Sequence, residues 1–244
     1  FDGIEVLVAR DQEGDAGGFF LAAKGGHNDE SHNHNDVGSF IVYVDGRPLI
    51  VDAGVETYRR QTFSPQRYEI WTMQSAYHTL LPAFDGEMHM PGAAFAAREV
   101  AYAADDARAS LGLDIAGAYP PAARVQTWRR EIALVRGTEV VITDSWTLRQ
   151  RVDRVVLSLL TPSDVEIGDG EITFAPARFG PEDEQRISSG GRLVIPGAVS
   201  TTAVERVPIA DARLGGVWGD GLNRVVFTVR DPGLEGTWIW RLSQ

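Results

Sequence analysis

Val125-Gln126-Thr127-Trp128-Arg129-Arg130-Glu131-Ile132-Ala133, Glu139-Val140-Val141-Ile142-Thr143-Asp144-Ser145-Trp146-Thr147-Leu148 and Arg154-Val155-Val156-Leu157-Ser158-Leu159-Leu160 follow one another with only short turn signals between them. Each run is rich in β-branched and aromatic residues and is of strand rather than helix length. Short connections make consecutive runs antiparallel neighbours. Outward from this block the same texture continues: segments 96–102, 171–174, 192–195, 224–230 and 237–242 read as strands, and 178–191, charged and Gly-rich, as a surface loop. Towards the N-terminus, 4–10 and 18–24 read as paired strands. Segment 38–44 is apolar on both faces, as in a strand buried on both sides. Asp45-Gly46 is a two-residue hairpin signal leading to a return strand over 49–52. Ser64-Pro65 supplies an N-cap and a first-turn proline for a short helix to about Met73. After residue 95 the pattern is β throughout. The expected fold is all-β: a large antiparallel β-sandwich with one short helix, as a single domain over 1–244.

Composition narrows the function. The chain has 244 residues, no cysteine and a formal net charge of −11. Thiolate metal sites and disulfides are therefore excluded, and nucleic acid or an anionic membrane surface is a poor partner for the overall field. No apolar run approaches the roughly 18 residues of a spanning helix. The chain opens at Phe1 without an initiator methionine, basic leader or apolar h-segment, and reads as a processed or excised piece.

Chemistry concentrates in one window. Of five histidines, His27, His32, His34 and His78 lie between Gly25 and Gly86, together with Asp52 at a strand end. Imidazoles and a carboxylate without thiolates suit a zinc-like ion, and histidine also exchanges protons near neutral pH. A regular 45–46 hairpin puts Asp52 across from about Ser39, five residues from His34, or roughly 16 Å along an extended strand. The two can share an ion only if the chain reverses first, and Gly38 can supply that reversal. The plainer alternative is a polar loop that satisfies its own turns. His89, in Met88-His89-Met90-Pro91, has no acidic company and is assigned to packing. Trp71, Trp128, Trp146, Trp238 and Trp240 are assigned to the core. Arg59, Arg60 and Arg67 are the nearest cations to the histidines, suited to a carboxylate or sulfate or simply to solvent.

His32-Asn33-His34-Asn35-Asp36-Val37-Gly38-Ser39-Phe40, Asp52-Ala53-Gly54, Tyr58, Gln74-Ser75-Ala76-Tyr77-His78-Thr79-Leu80-Leu81-Pro82 and Asp85-Gly86 together resemble the heparinase II/III-like polysaccharide lyases. The resemblance is dense from Gly25 to Gly86. It implies that the chain is the C-terminal β-sandwich part of such a protein, normally preceded by an α-helical toroid. It also implies a uronate-containing, anionic polysaccharide in the cleft between the two parts, and a periplasmic or secreted location. Carried over residue by residue, His34, Asp52 and His78 become zinc ligands, His32 faces the cleaved linkage, Tyr58 lines the cleft, and Arg67 is the candidate substrate cation. The implied reaction is β-elimination, and the residues that complete it lie in the toroid, so this chain alone is expected to be inactive. Two other classes stay open: a carbohydrate-binding or scaffolding sandwich that keeps the loop for stability, and a metal-dependent hydrolase in which zinc activates water.

Overall fold

The computed structural model describes residues 1–244 and every side chain except that of Asp2. Three antiparallel sheets carry the architecture. The largest has eight strands in the order Asp164–Ile167, Glu171–Ala175, Gly191–Val194, Glu235–Ser243, Glu139–Leu148, Val125–Val135, Arg108–Asp114 and Arg98–Ala104. A four-stranded sheet runs Val6–Arg10, Phe19–Lys24, Phe40–Val44, Arg47–Ile50, and a second runs Thr201–Pro208, Gly221–Arg230, Arg154–Thr161, Ala83–Phe84. A bridge between Val51 and Leu160 stitches the two smaller sheets together. Most of their buried side chains pack with those of the eight-stranded sheet in one main apolar core, and a smaller cluster around Val51, Leu160, Leu222 and Trp218 lies beside it, so the architecture is the expected all-β sandwich.

The alternation of Glu139–Leu148, with every second residue buried, shows why this segment is a strand with one face inward. Trp128, Trp146, Trp238 and Trp240 are all buried, and Trp128 stacks on Trp146 with centroids 5.2 Å apart. Trp71 is half-buried and lies edge-on to Tyr77 instead.

Several local expectations are corrected. Val125–Val135 and Glu139–Leu148 do pair, but Arg154–Thr161 crosses to the other layer and pairs with Gly221–Arg230 and Ala83–Phe84. The turn over 149–153 looks local, yet the apolar faces of two layers must meet, and a connection that changes layer achieves this as readily as a hairpin. Phe40–Val44 is buried on one face and half-buried on the other. The region after Ser64 does begin with the Ser64 cap, its hydroxyl accepting from Gln66 N–H, but forms the short 3-10 turns Pro65–Glu69 and Trp71–Met73. The α-helix among the described residues, α1 (Ala212–Trp218), lies in a stretch read as β, and its Gly215-Gly216 pair hides it from propensity arguments. The loop at 178–191 contains the small ladder of Arg178–Phe179 with Arg186–Ile187.

Candidate metal centre and its aromatic rim

The reversal required by the sequence geometry is present. Asp36 C=O accepts from Ser39 N–H at 2.9 Å, closing a four-residue turn with Gly38 at φ +85°. Glycine takes this positive φ at the third position of the turn without the strain a side chain would bring. A side chain at Gly38 would also have its Cβ 2.6 Å from Ile115 Cγ2, so glycine is required twice over. Lys24 bridges Glu30 at 3.0 Å and Asp36 at 2.9 Å across the base of the loop. From the far side, Arg67 Nη2 donates to Asn33 C=O at 2.7 Å, and Asn35 N–H donates to Met73 C=O at 3.0 Å. These bonds fold His34 back under the sheet end instead of letting it run on along the strand.

Asp52 follows the Arg47–Ile50 strand. Gly54 N–H donates to its Oδ1 at 2.7 Å, which orients the carboxylate. His78 sits at the end of the short 3-10 turn Ser75–Tyr77, and the next residue, Thr79, donates its N–H to Ser39 Oγ at 3.1 Å. The loops that carry His34 and His78 are thereby tied to each other. One candidate ligand atom from each of His34, Asp52 and His78 lies within 4.8 Å of the others. His34 and His78 are buried and Asp52 is half-buried.

The pair His78 Nδ1 and Asp52 Oδ2 is 2.6 Å apart. Burial alone would raise the Asp52 carboxyl, but the charge and hydrogen bond of His78, with help from His34 and Gly54, hold it well below the usual carboxylate range. Burial would likewise lower His78, and the Asp52 carboxylate outweighs it, so His78 is raised. His34 goes the other way: burial and the neighbouring His78 charge lower it, keeping a neutral imidazole with a free lone pair. The Nε2 atoms of His34 and His78 are buried without a protein hydrogen-bond partner. Leaving such atoms unpaired costs about 1–3 kcal/mol each. Two imidazoles and a carboxylate gathered this closely are a donor set that suits a divalent cation, and without one the Asp52–His78 hydrogen bond holds the two side chains together.

An exposed imidazole stands two residues before His34. His32 is exposed, with φ +59°, an uncommon conformation for a residue with a side chain. Its ring stacks on Tyr58 at 5.4 Å with the planes 8° apart, and Phe63 meets both rings edge-on. Arg213, on α1, places its guanidinium 5.7 Å from the centre of the Tyr58 ring. The fold thus gathers His34, Asp52 and His78 into one centre and pairs His32 with Tyr58 at an exposed rim. Arg67, half-buried, has its guanidinium on the loop carbonyl of Asn33. His27 stays outside the centre, its Nδ1 accepting from Asp29 N–H at 3.1 Å. His89 is buried against Tyr119, with ring centroids 4.4 Å apart.

A family model described as heparinase II/III-like, C-terminal, matches residues 6–204. The chain belongs to the heparinase II/III-like C-terminal family. Solved structures agree on the fold of this heparinase II/III-like domain. A heparan sulfate lyase, HepC from Pedobacter heparinus, superposes over 98% of the chain with a TM-score of 0.72 at 14% identity. Two heparinase III structures give TM-scores of 0.69 at 16% and 15% identity, again over 98% of the chain. The chain spans only about a third of the length of each: 35% of the HepC chain and 34% and 35% of the other two. No curated protein matches the sequence.

Two supports of the site were missed in the sequence. Arg130, inside an ordinary-looking strand, is 1% exposed and forms a bidentate pair with Asp144 at 2.7 and 2.9 Å. Its remaining donors reach Gly38 C=O at 3.1 Å and Leu80 C=O at 2.7 Å, one beside the loop of His34 and one beside that of His78. The available signal was an Arg and an Asp at inward-facing positions of facing strands. Helix α1 is the second support. Trp218 Nε1 donates to Ala53 C=O at 2.9 Å, and Asp211 accepts from Thr57 N–H at 3.1 Å, so the helix braces the segment running from Asp52 to Tyr58. Nothing local in the sequence announces either contact.

Proposed function

We propose that this chain is the sandwich part of a polysaccharide lyase that cleaves uronate-containing polysaccharides by β-elimination, and that zinc on His34, Asp52 and His78 holds the catalytic loop in shape. The observation that carries the reading is the exposed His32–Tyr58 stack standing beside a three-ligand centre within a heparinase II/III-like domain. In this reading His32 takes the proton α to the uronate carboxylate. The electron pair forms a carbon–carbon double bond, the glycosidic C–O bond breaks, and the Tyr58 hydroxyl returns a proton to the departing oxygen. The bound ion would supply loop rigidity, acting through His34 on the placement of His32. Arg67 contributes positive charge behind the loop while it fixes Asn33.

A base, an acid and a carboxylate partner must meet in one cleft, and such positioning can account for about 7–11 kcal/mol of barrier lowering. The chain covers about a third of the lyase structures it resembles, so the opposite wall and the carboxylate partner are assigned to a preceding helical domain of the same protein. The test is ultraviolet absorbance of the unsaturated uronate product from heparan-type and alginate-type polymers. The longer protein should give signal, lost in His32→Ala, and residues 1–244 alone should be silent. Strong His32-dependent activity from residues 1–244 would refute the divided site. Silence from both would refute the lyase reading.

A further inference from the structure

Phe63 and its cationic neighbours have no role in the chemistry above. Phe63 is 67% exposed although it touches two other aromatic rings, His32 at 6.4 Å and Tyr58 at 5.5 Å. It ends the 3-10 turn Arg60–Phe63, and with three residues per turn Arg60 lies directly over it on the same face. Arg213 approaches from α1 on the Tyr58 side. Among the described residues, Arg60 and Arg213 have no carboxylate partner, whereas Arg59 is neutralised by Glu56 at 2.6 Å. Two further acids, Asp211 and Glu69, are held by neutral donors and form no ion pair with either arginine: Asp211 accepts from Arg213 N–H, Leu214 N–H and Thr57 N–H, and Glu69 accepts from Gln61. On a chain with a formal net charge of −11, two guanidiniums without an ion-pair partner stand near an exposed ring.

We infer that Phe63, Arg60 and Arg213 form a binding subsite for one anionic pyranose unit next to His32, an inference that rests on the lyase reading and names how that substrate is held. A pyranose presents a face of C–H bonds, which lies well on the electron-rich face of an aromatic ring. Its carboxylate or sulfate is the shared anion chemistry that a guanidinium fork accepts. Cations on two different elements, one on the 60–63 turn and one on α1 against Tyr58, suit an acid-bearing sugar better than a neutral one. Phe63 and the two arginines bind and do not react.

The test uses residues 1–244 in native gels containing heparan sulfate, alginate or neutral dextran. Retardation by an anionic polymer and not by dextran is expected. Phe63→Ala and Arg213→Ala should each weaken it about tenfold, Arg60→Ala should weaken it too, and Phe63→Trp should retain it. Ile187→Ala, a remote exposed apolar change, should leave it unaltered. Retardation by heparan sulfate alone would assign sulfate as the anion, and retardation by both polymers the uronate carboxylate. Wild-type binding that survives all three alanine variants would overturn the subsite while leaving the lyase reading intact. Absence of wild-type binding to either anionic polymer would overturn the substrate assignment and the subsite with it. A Phe63→Ala variant that instead dissociates a dimer in gel filtration would show a self-association surface and overturn the inference.

Discussion

Arg130→Met removes the cation that ties the site to the sandwich. Asp144, with no measurable exposure, would be left as a buried carboxylate holding only the Trp128 Nε1 donor at 2.9 Å. Breaking such a pair by deleting one partner costs about 3–5 kcal/mol. The carbonyls of Gly38 and Leu80 lose donors as well, each worth about 1 kcal/mol net, and the contributions overlap because they share one side chain. A total near 4–6 kcal/mol is expected, or a melting temperature lower by about 10–20 °C in a chain of this size. The double variant Arg130→Met with Asp144→Leu removes the buried charge and should recover most of the stability, as apolar replacements of buried pairs do. It cannot restore the bonds to Gly38 and Leu80. Both variants should therefore bind zinc about tenfold more weakly than the parent, the usual scale for losing an outer support of a metal site. Calorimetric melting and zinc titration read the two effects separately. An Arg130→Met protein that melts within about 2 °C of the parent and binds zinc equally well would refute the argument that this pair anchors the loops.

Zinc itself should stabilise the fold: at one hundred times its Kd the gain is about 2.7 kcal/mol, and His34→Ala should abolish both the gain and the roughly one bound equivalent. Identical melting with and without zinc would defeat the metal assignment. His89 makes a separate claim about acid. Burial, then the charges of His78 and Arg130, push it down to about 3, while in the unfolded chain it takes a proton near 6.5. A depressed folded value means its stabilising contribution is present above about pH 6.5 and is lost as pH falls below that, by about 1.4 kcal/mol per unit. His89→Phe should flatten this slope in urea titrations between about pH 6.5 and 5, and an unchanged slope would show that His89 is not the group responsible. The His78 contribution has the opposite sign, present below about 6.5 and lost as pH rises through its raised folded value, so the parent-minus-variant difference is the quantity to compare.

Much of the sandwich was legible because strand formation depends on features the chain carries locally. Period-two burial in Glu139–Leu148 and the Asp45-Gly46 turn, with both residues at positive φ, are written in neighbouring residues. Layer assignment was not: the same short connection serves a hairpin or a crossing to the other sheet, and only the packing of Arg154–Thr161 against Ala83–Phe84 decides. Helix α1 escaped because its weak local propensity is overruled by Leu214 and Trp218, which bury themselves against Val51 and Leu222.

The candidate site divides the same way. Residue type marked the histidine window with Asp52, and chain reach the need for a reversal at Gly38, since donor chemistry and chain length are properties of the covalent sequence; the separate roles of His32, His34, Asp52, Tyr58 and His78 came from the family resemblance of the motifs that carry them. What the sequence could not contain was the company those residues keep. That Arg130 crosses the core to Gly38 and Leu80, that Arg67 spends its guanidinium on Asn33, and that Phe63 and Arg213 gather around Tyr58 are decided by tertiary contacts between segments remote in the chain. Such contacts exist only once the apolar faces have been buried together, and the sequence carries no local mark of them.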